Sequence, residues 1–264
     1  MMEFDGLKIA VSNGIARVVL SRPETLNRFD RTLMTSLRDA ARALHDRADV
    51  NVVILSAEGD AFSAGADLGS TTGVAEDQTL IEQRLAFRLG PDMCEAWERL
   101  EQVTLIAIQG YCIGGAAALA LACDFRIADK GASLRLPEVP LGINMSWRSV
   151  PRLATLIGPS KAKRFAMLGE AINAPLARDW GLVDEVVEIE SAVNAAEVLA
   201  ARLNALPPLA LRMTKEAINA AANAGHYTSS FMDRDQFLLT FGSEDFKEGV
   251  SAFFEKREPT FRGT

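Results

Sequence analysis

Ala61-Phe-Ser-Ala-Gly-Ala-Asp-Leu68 and Gln109-Gly-Tyr-Cys-Ile-Gly-Gly-Ala116 are two loops of small residues, each directly behind an apolar run. In the second, Gly114 and Gly115 stand where a helix should begin, and the first N–H groups of a helix have no partner inside it. Those donors are open to a ligand oxygen, helped by the helix dipole. The first loop carries no bulky side chain from Ala64 to Ala66, so a ligand carbonyl can come close to its backbone. Two such donors converging on one oxygen would stabilise a developing oxyanion. Taken singly, either loop reads equally as a tightly packed strand turn.

Other chemistries fall away by elimination. The two histidines, His45 and His226, read as solvated side chains at the close of a helix and in a loop, so a Ser-His-Asp triad is not expected and no G-x-S-x-G elbow occurs. No HExxH or paired-histidine set points to a metal. The glycines from Gly110 to Gly115 fit neither GxGxxG nor GxxxxGK[ST], which removes support for a nucleotide loop.

The elements that must hold the two loops show in the periodicity. Ile15–Leu20 and Asn51–Ser56 are β-branched runs, and Phe29, Leu33, Leu37, Ala40 and Leu44 repeat at helical spacing between them, a β-α-β unit. Val103–Ile108 predicts a strand, the stretch from Gly114 to Cys123 a buried helix and Phe125–Ala128 another strand. From Pro159 the pattern turns helical over 160–168, 175–181, 191–205 and 207–222, with only Glu185–Ile189 extended, and two more helix-like segments end near Arg257. The class is α/β with a helical C-terminal part that packs on its own domain or on a neighbouring subunit.

Composition sets the outer bounds. With 264 residues, 48% apolar and 24% charged, the chain can bury a sizeable core. A net charge of −7 without a basic cluster argues against nucleic acid as a partner. No apolar run approaches the roughly 18 to 20 residues of a membrane span, and the N-terminus lacks a secretory pattern. Three cysteines with no C-x-x-C pair indicate neither a disulfide framework nor zinc, so a reducing, cytoplasmic setting is expected.

Ser21-Arg-Pro-Glu-Thr-Leu-Asn27, AFSAGADL, GYCIGGAAALALACD, Leu136-Pro-Glu-Val-Pro-Leu-Gly142, Trp180-Gly-Leu-Val-Asp184 and Ser251-Ala-Phe-Phe-Glu-Lys-Arg257 resemble, in order and spacing, the successive signatures of the enoyl-CoA hydratase/isomerase (crotonase) family. The resemblance covers nearly the whole chain. It implies a spiral of β-β-α units over residues 1–200 that binds an acyl-CoA thioester. Residues 201–264 would form a helical region for trimerisation, as a homotrimer or a dimer of trimers, and would close the CoA site. By the same resemblance the backbone N–H groups of Ala66 and Gly115 would hold the thioester oxygen. Ala64, Asp67 and Leu68 would flank the CoA, the loop at Leu26 would approach its nucleotide end, and Phe253 and Lys256 would close over it. Asp67 and Lys256 also fit simpler roles, a helix cap and a solvated tail charge. No cofactor is implied beyond coenzyme A as part of the substrate, and no metal.

The acid/base inventory departs from the family hydratases, which carry two glutamates. Here the first position is Ala118 and only Glu138 remains. Its neighbours Leu134, Leu136, Val139 and Leu141 would raise its pKa towards that of a useful general base. One base with an oxyanion hole suffices to move a proton along an acyl chain, so the pattern favours double-bond isomerisation over hydration. A non-catalytic acyl-CoA-binding protein, or a related enzyme cleaving a thioester or working on a C–C bond, are the alternatives. Asn144, Trp147 and Arg148 replace a Gly-rich stretch of many relatives and would narrow the acyl pocket, with Trp147 read as core packing or as a pocket wall.

Overall fold

The computed structural model describes residues 4–67 and 78–264. Two N-terminal strands, β1 (Leu7–Ser12) and β2 (Ile15–Leu20), form an antiparallel hairpin across Asn13-Gly14. Both turn residues have positive φ, the geometry that matches strand twist in a two-residue hairpin. Helix α1 (Arg31–His45) follows, with the Asp30 carboxylate accepting the Leu33 N–H and Leu33, Leu37, Ala40 and Leu44 fully buried. It leads into β3 (Val52–Ala57), parallel to β2. Helices α2 (Leu80–Ala86) and α3 (Leu89–Glu98), which the apolar runs alone did not mark, precede β4 (Val103–Ile108).

From β4 the chain repeats one device. It turns at Gly110, lays down a short strand of a second sheet, β5 (Tyr111–Ile113), and enters α4 (Gly115–Ala120). The next turn gives β6 (Phe125–Asp129), β7 (Ser133–Arg135), a 3-10 turn at Val139–Leu141 and α5 (Ser149–Leu168), kinked at Gly158. Gly158, at φ +77° and ψ 159°, is non-helical and divides α5 in two: the predicted helix over 160–168 is its second segment, and the first, from Ser149, was not expected. The short β8 (Ile172–Asn173), α6 (Ala174–Trp180) and β9 (Glu185–Val187) then lead to α7 (Ala192–Asn204).

The large sheet runs β1-β2-β3-β4-β6-β9, parallel except for β1, and the small one β5-β7-β8. All six residues of β3 and of β4 are buried, as befits a parallel sheet covered on both faces. One face packs against α1, α3 and α4, with Phe29, Phe62 and Trp97 sealed in; burying such a side chain is worth about 1.5–3 kcal/mol. The other receives Ala192, Ala196 and Ala200 from one stripe of α7, small residues that let helix and sheet approach closely.

Helices α8 (Pro208–Ala222), α9 (His226–Ser230), α10 (Asp233–Phe241) and α11 (Glu244–Glu255) complete the fold. The last two fold back onto their own chain. A Cβ on Gly249 would stand 2.5 Å from the Leu141 carbonyl oxygen, and Phe246 packs with Leu141 and Ile143. Asn144 joins them, its N–H donating to the Thr240 hydroxyl at 3.2 Å.

Candidate active site

The two small-residue loops meet edge to edge. The Ser63 N–H donates to the Tyr111 carbonyl at 2.8 Å and the Ile113 N–H to the Ser63 carbonyl at 3.2 Å, which extends the small sheet to the first loop. Gly65, with φ +84°, lies so close that a Cβ there would be 2.3 Å from the Ile113 carbonyl oxygen and 3.6 Å from the Gly115 nitrogen. Asn27, fully buried, fastens the first loop from below: its side chain donates to the Glu58 and Ala61 carbonyls and accepts the Arg22 N–H.

This packing decides which N–H groups stay open. Phe29 donates to the Gly65 carbonyl and accepts from the Asp67 N–H, so Ala66 between them directs its own N–H the other way, as alternate residues of a β ladder do. Gly115 is the first residue of α4, where no intrahelical acceptor exists. Among the described residues neither N–H has an acceptor. Such a pair can hold one oxygen carrying negative charge. What fills the space over the Gly115 Cα is the Trp147 indole: a Cβ at 115 would sit 2.4 Å from ring atoms Cζ3 and Cη2. The missing side chain thus makes room for Trp147 as well as for a ligand.

Glu138 stands beside this pair. Its Oε1 would lie 3.1 Å from a Cβ on Gly114, so a side chain there would crowd the carboxyl, and at φ +54° the backbone also favours glycine. Oε2 is buried without a hydrogen-bond partner among the described residues. Burial pushes the carboxyl from its ordinary 4.5 up to about 7, against the weaker opposing pulls of its own backbone N–H and of the Arg135 charge. An acid whose pKa is raised on folding favours the fold while neutral and loses that contribution as pH climbs through the folded value. Glu138→Gln therefore melts higher than the parent at about pH 8, by a margin on the order of 3 kcal/mol, and the gap closes near pH 5. Scanning calorimetry at both pH values checks this; an equal gap at both would contradict it.

A cavity of about 360 Å³ joins these groups. Ala64, Ala66, Asp67, Gly115, Glu138 and Phe253 all line it, and so does Ala118. Leu26 and Lys256 do not reach its wall. Leu26 acts through its carbonyl, which accepts the Ala64 N–H at 3.0 Å, and Lys256 is an exposed left-handed residue closing α11. Leu68 lies outside the described residues.

Two cations on the cavity wall carry no local sequence signal. Arg28 pairs with Asp67 at 3.3 Å, and Arg135 donates to the Gly169 carbonyl at 2.6 Å. Phe87, Phe237, Phe241 and Phe246 add a cluster of rings 4.8 to 6.0 Å apart. Phe253 comes from the same chain, since α11 covers its own Glu138 segment.

His226 is not the solvated loop residue expected. It opens α9, half-buried, with Nε2 2.9 Å from the Thr155 hydroxyl, and burial lowers its pKa. It lies away from the cavity. The cysteines offer no nucleophile, because burial pushes Cys94 and Cys123 up to about 12 and raises Cys112 further. Among the described residues no group of His, Cys, Asp and Glu could hold a metal, and no helix is long and apolar enough to cross a membrane.

The chain is 31% identical to the crotonyl-CoA hydratase of Syntrophomonas wolfei over 98% of its own length and 99% of that protein. It is 30% identical to the short-chain-enoyl-CoA hydratase of Clostridium acetobutylicum over 97% of each. The crystal structure of an enoyl-CoA hydratase from Mycobacterium avium subsp. paratuberculosis superposes with a TM-score of 0.87 at 28% identity, covering 98% of this chain and all of that one. A family model described as enoyl-CoA hydratase/isomerase matches residues 10–264. With the spiral fold, the paired loops and this match over nearly its whole length, the chain belongs to the enoyl-CoA hydratase/isomerase family of acyl-CoA enzymes.

Proposed function

We propose that this enzyme shifts the double bond of an enoyl-CoA, with Glu138 as its single general acid/base and the Ala66 and Gly115 N–H groups as its oxyanion hole. The observation that carries this reading is one unpaired, buried carboxyl, its pKa near 7, beside two open backbone donors. A 3-enoyl thioester loses a C2 proton to the Glu138 carboxylate. The electron pair moves onto the thioester oxygen, where the two N–H groups hold the dienolate. Glu138 then returns the proton at C4, giving the conjugated 2-enoyl thioester and restoring the carboxylate. No cofactor enters, since CoA arrives as part of the substrate. Arg28 and Asp67 stand where the CoA would pass, and Phe253 closes over it.

The hydratases among the relatives favour a second reading, in which the same carboxyl activates a water and then protonates C2. Incubation with 3-enoyl- and 2-enoyl-CoA separates the two by conjugation absorbance and product mass. Conversion of the 3-enoyl to the 2-enoyl thioester without change of mass is expected. Gain of one water as the only product would establish hydration, and no turnover of either substrate would move the protein to acyl-CoA binding.

A trimeric assembly, single or paired, completes the proposal. The region from α8 to α10 leaves Leu209, Met213, Ile218, Phe231 and Leu239 exposed, apolar side chains that a subunit interface would cover. Sedimentation at micromolar concentration should show a trimer or hexamer. A stable monomer would contradict it.

A further inference from the structure

Trp147 is held by a backbone that ordinary core packing does not require. Trp147 and Arg148 are consecutive non-glycine residues at φ +59° and +55°. A bulky residue in that region is an outlier that persists only where its surroundings over-determine it. Here they do. The buried Arg152 donates from Nη1 to the Trp147 carbonyl at 2.8 Å while its other nitrogens fork onto Glu98 at 2.7 and 2.9 Å. The Asp233 carboxylate accepts the Arg148 N–H at 2.7 Å, and the Arg148 guanidinium pairs with Glu95 at 3.0 Å.

The result is the placement of one ring. A Cβ on Gly90 would be 2.1 Å from the indole Cε2 and 2.2 Å from Nε1, and one on Gly115 would be 2.4 Å from Cζ3 and Cη2 on another edge of the same indole. The indole therefore spans the seam between α3 and α4, and both helices lack a side chain where it crosses. Ala118, Leu89 and Met145 line the cavity beside it. One side chain closes this seam, next to the atoms that would hold the thioester.

We infer that Trp147 is the specificity-determining residue that limits the acyl chain, by stoppering the α3–α4 seam through which a longer chain would otherwise run. The inference rests on the cavity taking an acyl-CoA, but not on Glu138 chemistry, so its test reads binding. Butanoyl-, hexanoyl-, octanoyl- and decanoyl-CoA are titrated calorimetrically into the intact parent and into Trp147→Gly, a change that also suits the left-handed backbone. In the parent, affinity stops rising early in the series. In Trp147→Gly it keeps rising by roughly fourfold for each added methylene, the value of burying that group. Trp147→Phe, which keeps a smaller ring across the seam, falls between and serves if the glycine variant does not fold.

Parallel chain-length profiles in parent and variants would overturn the inference, because a merely structural Trp147 changes all affinities together. Absence of turnover with an intact binding profile would count against the proposed reaction and leave this inference standing.

Discussion

Glu138→Gln lowers kcat for enoyl-CoA turnover about 10²- to 10⁴-fold, the range expected when a general base is lost. Glutamine keeps the shape and a hydrogen-bonding oxygen, so acyl-CoA affinity stays within a few-fold of the parent. The size of the effect follows from Ala118, which offers no carboxylate beside Glu138, and from Asp67, the other carboxylate on the described cavity wall, which is paired with Arg28 at 3.3 Å. Steady-state kinetics with calorimetric binding on the same preparation separates chemistry from affinity. If the variant turned over enoyl-CoA at the parent rate, the proton would have to move through another group.

Gly65→Ala costs about 10²- to 10³-fold in kcat, the usual loss when one oxyanion donor is displaced. Its added Cβ would meet the Ile113 carbonyl oxygen at 2.3 Å and carbon at 3.0 Å, and backbone cannot swing aside as a side chain can. The first loop must retreat, taking the Ala66 N–H with it. Because that donor acts on charge developed in the transition state, kcat and kcat/KM fall together. Circular dichroism confirms that the folded fraction is unchanged. A folded variant with the parent kcat would show that the two loops need not meet for catalysis.

The parts legible in the sequence are those set by local pattern. β2, β3 and β4 are mostly apolar, β-branched runs, α1 has its helical stripe, and both loops stand out by their small residues. What was not legible depends on partners distant in the chain. β5, β7 and β8 are two or three residues long and exist only through pairing with one another. His226 finds Thr155 across a separation of 71 residues. Arg28 and Arg135 reach the cavity from separate turns of the spiral, and the aim of Trp147 is set by Arg152 and Asp233. The apolar surroundings of Glu138 could be read from Leu134, Leu136 and Leu141, but its unpartnered Oε2 and its closeness to Gly114 could not.

The central claim is that the Glu138 carboxyl moves a proton at C2 of a bound enoyl thioester. Proton NMR of 3-enoyl-CoA in deuterated water, with parent enzyme across a pH series, tests it most directly. The account predicts deuterium entering at C2 and C4 at a rate that rises through an apparent pKa of about 7, since only the ionised carboxyl can accept the proton, and that collapses in Glu138→Gln. Exchange that proceeds undiminished in Glu138→Gln, or a rate that is flat from acid to alkaline pH, would contradict it.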